Sequence, residues 1–443
     1  MPGPSVVWLR DDLRLADNPA LTAAVHRGEP VVLVYILEDA GPRPLGAASR
    51  WWLHGSLTRL GASAPLVLRR GAAATVIPAL MREVGADAIY WNRRYGAARD
   101  VDAQLKAGLR ADGLEVTSFA ANLLFEPWAV TTGEGTPFRV FTPFWRAARE
   151  LPVRAPLPPP ADVSWRDAPS DDLDDWDLLP IHPDWAGGLR ETWEPGEAGA
   201  HEQLESFVSD RLERYHRRDE PAVDATSHLS PHLRFGELSP HQVWERLHGA
   251  MSAAARKNVG TFLSELGWRE FTTSILFHSP DLAQKNYRPA FDAFPWATPD
   301  PAELDSWKRG RTGIPLVDAG MRELWHTGYM HNRVRMVVAS LLIKNLLIDW
   351  RIGEQWFWDT LVDADEANNP GNWQWVAGSG ADAAPYFRVF NPELQASKFD
   401  PDARYIRRWI PEYGTDDYPE PIVDLKQTRA QALAAYEHVK RAS

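Results

Sequence analysis

The chain has 443 residues, room for roughly two or three domains and a sizeable buried core, and its 44% apolar and 24% charged residues are those of a water-soluble globular protein. It contains no cysteine, which excludes disulfides, thiolate metal sites, iron–sulfur clusters and a cysteine nucleophile, and favours an intracellular, cytoplasmic setting. A net charge of −12 argues against a nucleic-acid partner unless a local basic patch coexists with an acidic remainder.

The opening MPGPSVVWLRDDLRL lacks the basic start and continuous apolar stretch of a signal peptide. Short β-branched apolar runs follow: SVVWLR (5–10), PVVLVYIL (30–37), PLVLRR (65–70), AIYWN (88–92) and LEVTSF (114–119). They alternate with helix-period stretches such as TVIPALMREVGA and VDAQLKAGLRADG. That alternation predicts an α/β domain over residues 1–130, with a doubly wound parallel sheet buried on both faces. The turn after the first strand, LRDDLRLADNP, has no G-x-G-x-x-G, so no dinucleotide pyrophosphate is expected there. Residues 131–198 contain RAPLPPPADV, DAPSDDLDDWDLLP and EPGEAGA, rich in Pro, Gly and acid, and read as a long linker over the surface. From 199 to 443 strand signals nearly vanish, and segments such as NVGTFLSELGWREFTTSILFH and LVDAGMRELWHTG carry helical periodicity, predicting an all-α domain. The longest apolar run, MVVASLLIKNLLI (336–348), is broken by Lys344 and Asn345 and is too short to span a bilayer; it reads as a buried helix, with no membrane association expected.

Four polar clusters stand out in the helical part. TSHLSP (226–231) sets Thr226, Ser227 and Ser230 before Pro231, a helix N-cap pattern whose hydroxyls and free N–H groups also suit an anion. ELGWREF (265–271) places Glu265 one turn from Trp268 and Arg269, where an intrahelical ion pair is the plain reading. MHNRVRM (330–336) puts Asn332 and Met336 on one helix face, with Arg333 and Arg335 diverging from it; His331 has no partner at metal-ligand spacing and is taken as structural. DADEANNPGNWQW (363–375) gathers Asp363, Asp365, Asn369, Trp373 and Trp375 in what reads as one loop. Asp363 could neutralise a buried arginine, and Asn369 could meet a heteroatom with either end of its amide. The 21 tryptophans against 11 tyrosines are a surplus, because a buried indole N–H needs a partner. Indoles separated in sequence, Trp296 and Trp350 among them, could pass an electron if the fold brings them together.

With these motifs in this order, the chain resembles the photolyase/cryptochrome family, and within it the microbial cyclobutane-pyrimidine-dimer photolyases. The residues that carry the resemblance are Tyr215, TSHLSP, ELGWREF, GRTGIPLVDAGMREL (310–324), GYMHNRVRM (328–336), LIDW (347–350), DADEANNPGNWQW and GADAAPYFRVFNPELQASKFD (380–400), and they run nearly end to end. The resemblance implies FAD bound in a U-shape inside the helical domain. Tyr215, Thr226, Ser227, Leu229 and Ser230 would hold its pyrophosphate side. Arg269, Asp363 and Asp365 would contact the flavin, Arg335 would pair with Asp363, and Asn369 would face flavin N5. Trp373, Trp350 and Trp296 match a chain of tryptophans that photoreduces the flavin. Glu265, Trp268, Asn332, Met336 and Trp375 would line the pocket for a dimer flipped out of DNA, where stacking on indole is worth ~1–3 kcal/mol per base. Arg218, Arg333, Arg388, Gln395 and Lys398 would lie near the DNA backbone, a basic rim compatible with an acidic whole.

The implied activity is light-dependent repair of cyclobutane pyrimidine dimers by electron transfer from reduced FAD, carried out by a monomer. Three other readings stand beside it. A (6-4) photolyase would carry a His-x-x-x-His pair where this chain has Asn332 and Met336. A blue-light receptor of the same family would bind FAD without repair, and some signalling members have Asp where Asn369 stands. An electron-transfer flavoprotein would leave Trp268, Trp375 and the basic positions unexplained. Phe262 and Tyr329 replace tryptophans of some relatives. A second, antenna chromophore is left open among a deazaflavin, a differently held methenyltetrahydrofolate and none at all, because folate-binding relatives place a Glu in the loop NRRYGAARD (92–100) and this chain has none there.

Overall fold

The structure, a computed structural model, describes residues 2–38, 43–250, 252, 255–383 and 387–442. Ala384, Pro385 and Tyr386 of the 380–400 motif lie outside the described residues. Strands β1 (Ser5–Leu9), β2 (Val31–Leu37), β3 (Leu66–Arg70), β4 (Ala88–Asn92) and β5 (Glu115–Phe119) fall within one residue of the expected runs. They form one parallel sheet in the order β3-β2-β1-β4-β5. Successive side chains of a strand point to opposite faces, and the core divides accordingly. Val7 and Leu9 pack with α1 (Pro19–His26) and α2 (Ala47–Ser63) on one face, and Val6 and Trp8 with α3 (Ala73–Val84) and α4 (Arg99–Ala111) on the other. Because both faces are covered, β1, β2 and β4 are buried throughout. The winding reverses between β1 and β4, which opens a crevice at the C-terminal ends of the strands.

The segment 131–198 is less of a surface linker than its composition suggests. It contains α5 (Phe141–Ala148) and α6 (Gly187–Thr192), and Val31 of β2 makes a parallel bridge with Trp165. Phe141, Phe144 and Ala148 share one helix face and join the core of the helical part. The flanking proline and acid dominate the local composition and conceal that short amphipathic stretch.

The helical part comprises α7 (Glu197–Ser206), α8 (Ser230–Arg234), α9 (Pro240–Gly249), α10 (Arg256–His278), α11 (Pro301–Arg309), α12 (Pro315–Thr327), α13 (Asn332–Ser340), α14 (Trp350–Thr360), α15 (Asn368–Ala377), α16 (Pro392–Phe399), α17 (Arg404–Trp409) and α18 (Leu425–Ala442). Local signals set several starts: Ser239 and Gln242 form a reciprocal capping box at α9, with Pro240 inside its first turn. The apolar run 336–348 is not one helix. α13 ends at Ser340, a π-helical turn spans Leu341–Asn345, and Leu347 turns the chain at φ 55° before α14. Within that turn Lys344 is fully buried and donates to the Ala377 carbonyl at 2.7 Å, closing the C-terminal end of α15. Burial pulls its amine well below the usual lysine range. No helix among the described residues is long and apolar enough to cross a membrane.

The segment 363–375 also departs from expectation. Only its first part is loop; Asn369, Trp373 and Trp375 lie on α15. Asp365 Oδ1 accepts the Ala367 and Asn368 amides at 2.7 and 2.6 Å, which starts the helix, and Gly378 at φ 96° ends it.

Candidate active site

Ser230 opens α8 but does not cap it. Its hydroxyl donates to Asp363 Oδ2 at 2.6 Å, while the cap position, Leu229, has no side-chain bond to offer. Asp363 also receives both guanidinium ends of Arg335, at 3.1 and 2.9 Å, and Arg335 Nε donates to the Met330 carbonyl at 2.6 Å. Burial alone would lower the Arg335 pKa, but the charge and hydrogen bonds of Asp363 turn the shift upward. Removing one member of such a pair costs ~3–5 kcal/mol. Beside it, Ser227 Oγ accepts the Leu229 amide at 3.3 Å and Thr226 Oγ1 meets His228 Nε2 at 3.1 Å. Tyr215 is buried against Phe207 and Phe262, so the Phe at 262 keeps an aromatic contact.

Asn369 is held from the far side. Its Nδ2 donates to the Glu354 carbonyl oxygen at 3.0 Å and to Glu354 Oε1 at 2.7 Å. Glu354 also binds Arg43, whose guanidinium lies 3.7 Å from the Trp358 ring centre. Burial raises the Glu354 pKa and Arg43 opposes that rise. Arg269 donates to the Asn122 carbonyl at 2.6 Å rather than pairing with Glu265, so the intrahelical ion pair does not form.

Trp268 of α10 and Trp375 of α15 line one small cavity, together with Phe271, Gly371 and Asn372. Phe141 stacks on Trp268 at 3.9 Å between ring centres. Gly267 makes room for this layer, since a Cβ there would lie 2.5 Å from the Trp145 ring. Glu265 turns to Arg218 at 3.7 Å, and burial raises its pKa against that arginine, although 43% of the side chain is exposed. Asn332 is exposed at the start of α13 and Met336 half-buried one turn on, its sulfur 3.8 Å from Arg333 Nη1. His331 Nδ1 accepts the Arg333 amide at 3.2 Å, and burial lowers its pKa to about 4, so it serves as a neutral helix cap.

Of the basic positions, two share a partner. Arg333 pairs with Asp219 at 2.9 Å, and Arg333 and Lys398 approach the Phe399 ring at 4.6 and 4.9 Å. Arg388 lies 5.4 Å over Trp375, and Gln395 Oε1 is buried without a partner. On the inner side of α15, Trp373 lies 4.9 Å from Phe357 and 6.3 Å from Trp307. Gly353 admits it to α14, since a Cβ there would fall 2.2 Å from the indole. Trp350, fully buried with its N–H on Asn286 at 3.0 Å, belongs to the same core, against which the half-buried Trp296 packs.

A second cavity, of about 240 Å³, occupies the crevice between sheet and helices, with Arg10, Glu38, Arg43, Arg94, Arg234 and Glu366 among its lining. The loop 92–100 supplies arginines, not the carboxylate: Arg94 bonds Glu38 at 2.8 Å and Asp102 at 2.6 Å. Among the described residues no group of His, Cys, Asp and Glu could hold a metal. Glu354, Arg43, Phe141 and Trp307 escaped sequence reading. Glu354 had a signal, a carboxylate on the helix face of Trp350 and Phe357; Arg43, between prolines, had none.

Profiles of two protein families match the sequence: "DNA photolyase" over residues 5–161 and "FAD binding domain of DNA photolyase" over residues 262–415. A protein of Agrobacterium fabrum named deoxyribodipyrimidine photo-lyase is 48% identical, the match covering 99% of this chain and 98% of that one. Cryptochrome-1 of Arabidopsis thaliana is 36% identical over 97% of this chain and 69% of its own. Among solved structures, a bacterial class III photolyase from Agrobacterium tumefaciens superposes with a TM-score of 0.96 at 48% identity, covering 100% of this chain and 98% of that one.

Proposed function

The chain belongs to the photolyase/cryptochrome family, and we propose that it is a deoxyribodipyrimidine photo-lyase, which uses blue light to reverse cyclobutane pyrimidine dimers in DNA. The observation that carries this reading is the pair Trp268 and Trp375, two indoles distant in sequence that line one cavity.

The residues present fit FAD. Hydroxyls of Thr226, Ser227 and Ser230 beside the Arg335–Asp363 pair suit a pyrophosphate and the N–H groups of a flavin, and the Asn369 amide oxygen is left free by its two donations to Glu354. Reduced FAD supplies the electron that light drives into the dimer. Trp268 and Trp375 would hold the extruded bases by stacking, each worth ~1–3 kcal/mol. A carboxyl raised in pKa, as in Glu265, can donate to a base carbonyl while charge develops there, and Asn332 would do so as an amide. Trp373, Trp350 and Trp296 would return electrons to the cofactor from the solvent side. Arg218, Arg333, Arg388, Gln395 and Lys398 would seat the backbone. One chain contributes every group named, so a monomer suffices, and the absence of cysteine accords with the cytoplasm.

A second chromophore, a deazaflavin or methenyltetrahydrofolate, would lie at the cavity by the strand ends, where Arg10, Arg43 and Arg94 are among the lining. The absorption spectrum of the purified protein distinguishes the two.

The test is repair by chemically reduced protein of oligonucleotides carrying either a cyclobutane dimer or a (6-4) product, in blue light and in darkness. Light-dependent loss of the cyclobutane dimer alone is expected, with Glu265→Ala retaining flavin but losing most repair. Photoreducible flavin with no repair of either lesion would instead make the protein a receptor.

A further inference from the structure

Asn369 could face a ligand with either end of its amide, and the choice decides whether it accepts or donates. Both groups that bind its Nδ2 are acceptors on Glu354, the main-chain carbonyl and Oε1. This fixes Nδ2 on Glu354 and leaves Oδ1 as the outward atom. The carboxyl is an acceptor alone only while ionised, since once protonated it can also donate, and Glu354 is 3% exposed, in a setting that disfavours charge. The cation that offsets burial comes from outside the helical part: Arg43, in the connection between β2 and α2, bonded to Glu354 and held flat on Trp358.

We propose that Arg43 is a positioning residue for the flavin: by holding Glu354 as an acceptor, it locks the Asn369 amide with its oxygen toward flavin N5. The inference rests on the reading of Asn369 as the residue that faces the flavin. Without Arg43 the carboxyl takes up a proton and can donate to Asn369 Oδ1, which leaves only the Glu354 main-chain carbonyl to oppose a turn of the amide NH₂ outward. An outward oxygen accepts the N5–H of reduced flavin; an outward NH₂ cannot, so the reduced form loses a hydrogen bond. A single hydrogen bond of ~1.5 kcal/mol corresponds to about tenfold in an equilibrium or a rate.

The experiment compares full-length, flavin-loaded Arg43→Leu, Arg43→Lys, Glu354→Leu and Asn369→Ala with the parent. It measures the flavin midpoint potential and the rate at which photoreduced flavin reoxidises in the dark. Arg43→Leu and Glu354→Leu, which removes the side-chain acceptor, are expected to lower the potential and to speed reoxidation about tenfold, as Asn369→Ala does, and Arg43→Lys to restore much of the parent behaviour. Parent-like values in Arg43→Leu or Glu354→Leu, with Asn369→Ala shifted, overturn the proposal while leaving the function intact. Parent-like values in Asn369→Ala overturn it by removing the reading beneath it. Glu354→Leu keeps the test open should Arg43→Leu fail to fold.

Discussion

Trp373 is 3% exposed, wedged by Gly353 against α14 and bounded by Phe357 and Trp307. A side chain so enclosed has one fixed orientation, which an electron carrier needs. Trp373→Phe keeps the packing and removes the easily oxidised ring. Photoreduction of oxidised flavin should fall by an order of magnitude or more, while protein reduced chemically keeps most of its repair rate. Flash photolysis and the repair assay read these separately, and normal photoreduction would remove Trp373 from the path. The neighbouring roles differ in how far sequence revealed them. Asp363 and Arg335 were legible as a pair and meet bidentately. The Ser230 hydroxyl read as a cap, but it serves Asp363 across 133 positions, a contact no local rule contains.

At the scale of elements, α10 and α15 carry the two tryptophans of the proposed site, and α10 is tethered to the α/β part by Glu270. That carboxyl is buried and accepts the Phe125 amide at 3.1 Å. Burial pushes its pKa up to about 7 from 4.5, against the pull of Arg269 and the Phe125 and Leu124 amides, with Glu126 adding to the rise. An acid raised on folding binds its proton more tightly in the native state. Its contribution is therefore present below pH 4.5, declines as the unfolded chain ionises first, and stops changing above about pH 7. The span is worth ~3 kcal/mol. In Glu270→Gln the melting temperature should gain on the parent's between pH 5 and 7 and run parallel to it above; a constant offset across that range would mean that Glu270 stays ionised in the fold. The sequence marks where α10 runs but not this tether, because Glu270 looks like any helical glutamate until the segment after β5 lies against it.

At the scale of the whole molecule, the two parts are joined by Glu237, which is fully buried and receives Trp52 Nε1 at 3.0 Å, the Gly196 amide at 2.7 Å, His232 Nδ1 at 2.5 Å and the Ser56 hydroxyl. Glu237→Ala strands these donors in the interface and should cost ~3–5 kcal/mol, read as a lower urea midpoint. The charge objection belongs to the same scale. A net charge of −12 describes the whole chain, and a DNA partner requires that the proposed contacts Arg218, Arg333, Arg388 and Lys398, which meet Glu265, Met336 and Phe399, Trp375, and Phe399 respectively, act as a local basic patch. Arg333→Ala should weaken damaged and undamaged DNA alike and reduce the salt slope by about one; an unchanged slope would exclude a phosphate contact.

Sequence alone determined the alternation of strands and helices and the family. Each of these depends on local periodicity or on ordered motifs, both of which survive in one dimension. Tertiary structure decided the rest. It turned the presumed loop 363–375 largely into α15, because Asp365 accepts the Ala367 and Asn368 amides at its start and Lys344, arriving from another helix, closes its far end. It drew Phe141 from the linker onto Trp268 and set Arg43 and Glu354 behind Asn369. The physical reason is common to all three. A hydrogen bond or ring contact between distant residues depends on where the packed core places them, and that placement has no signature in the sequence around either partner.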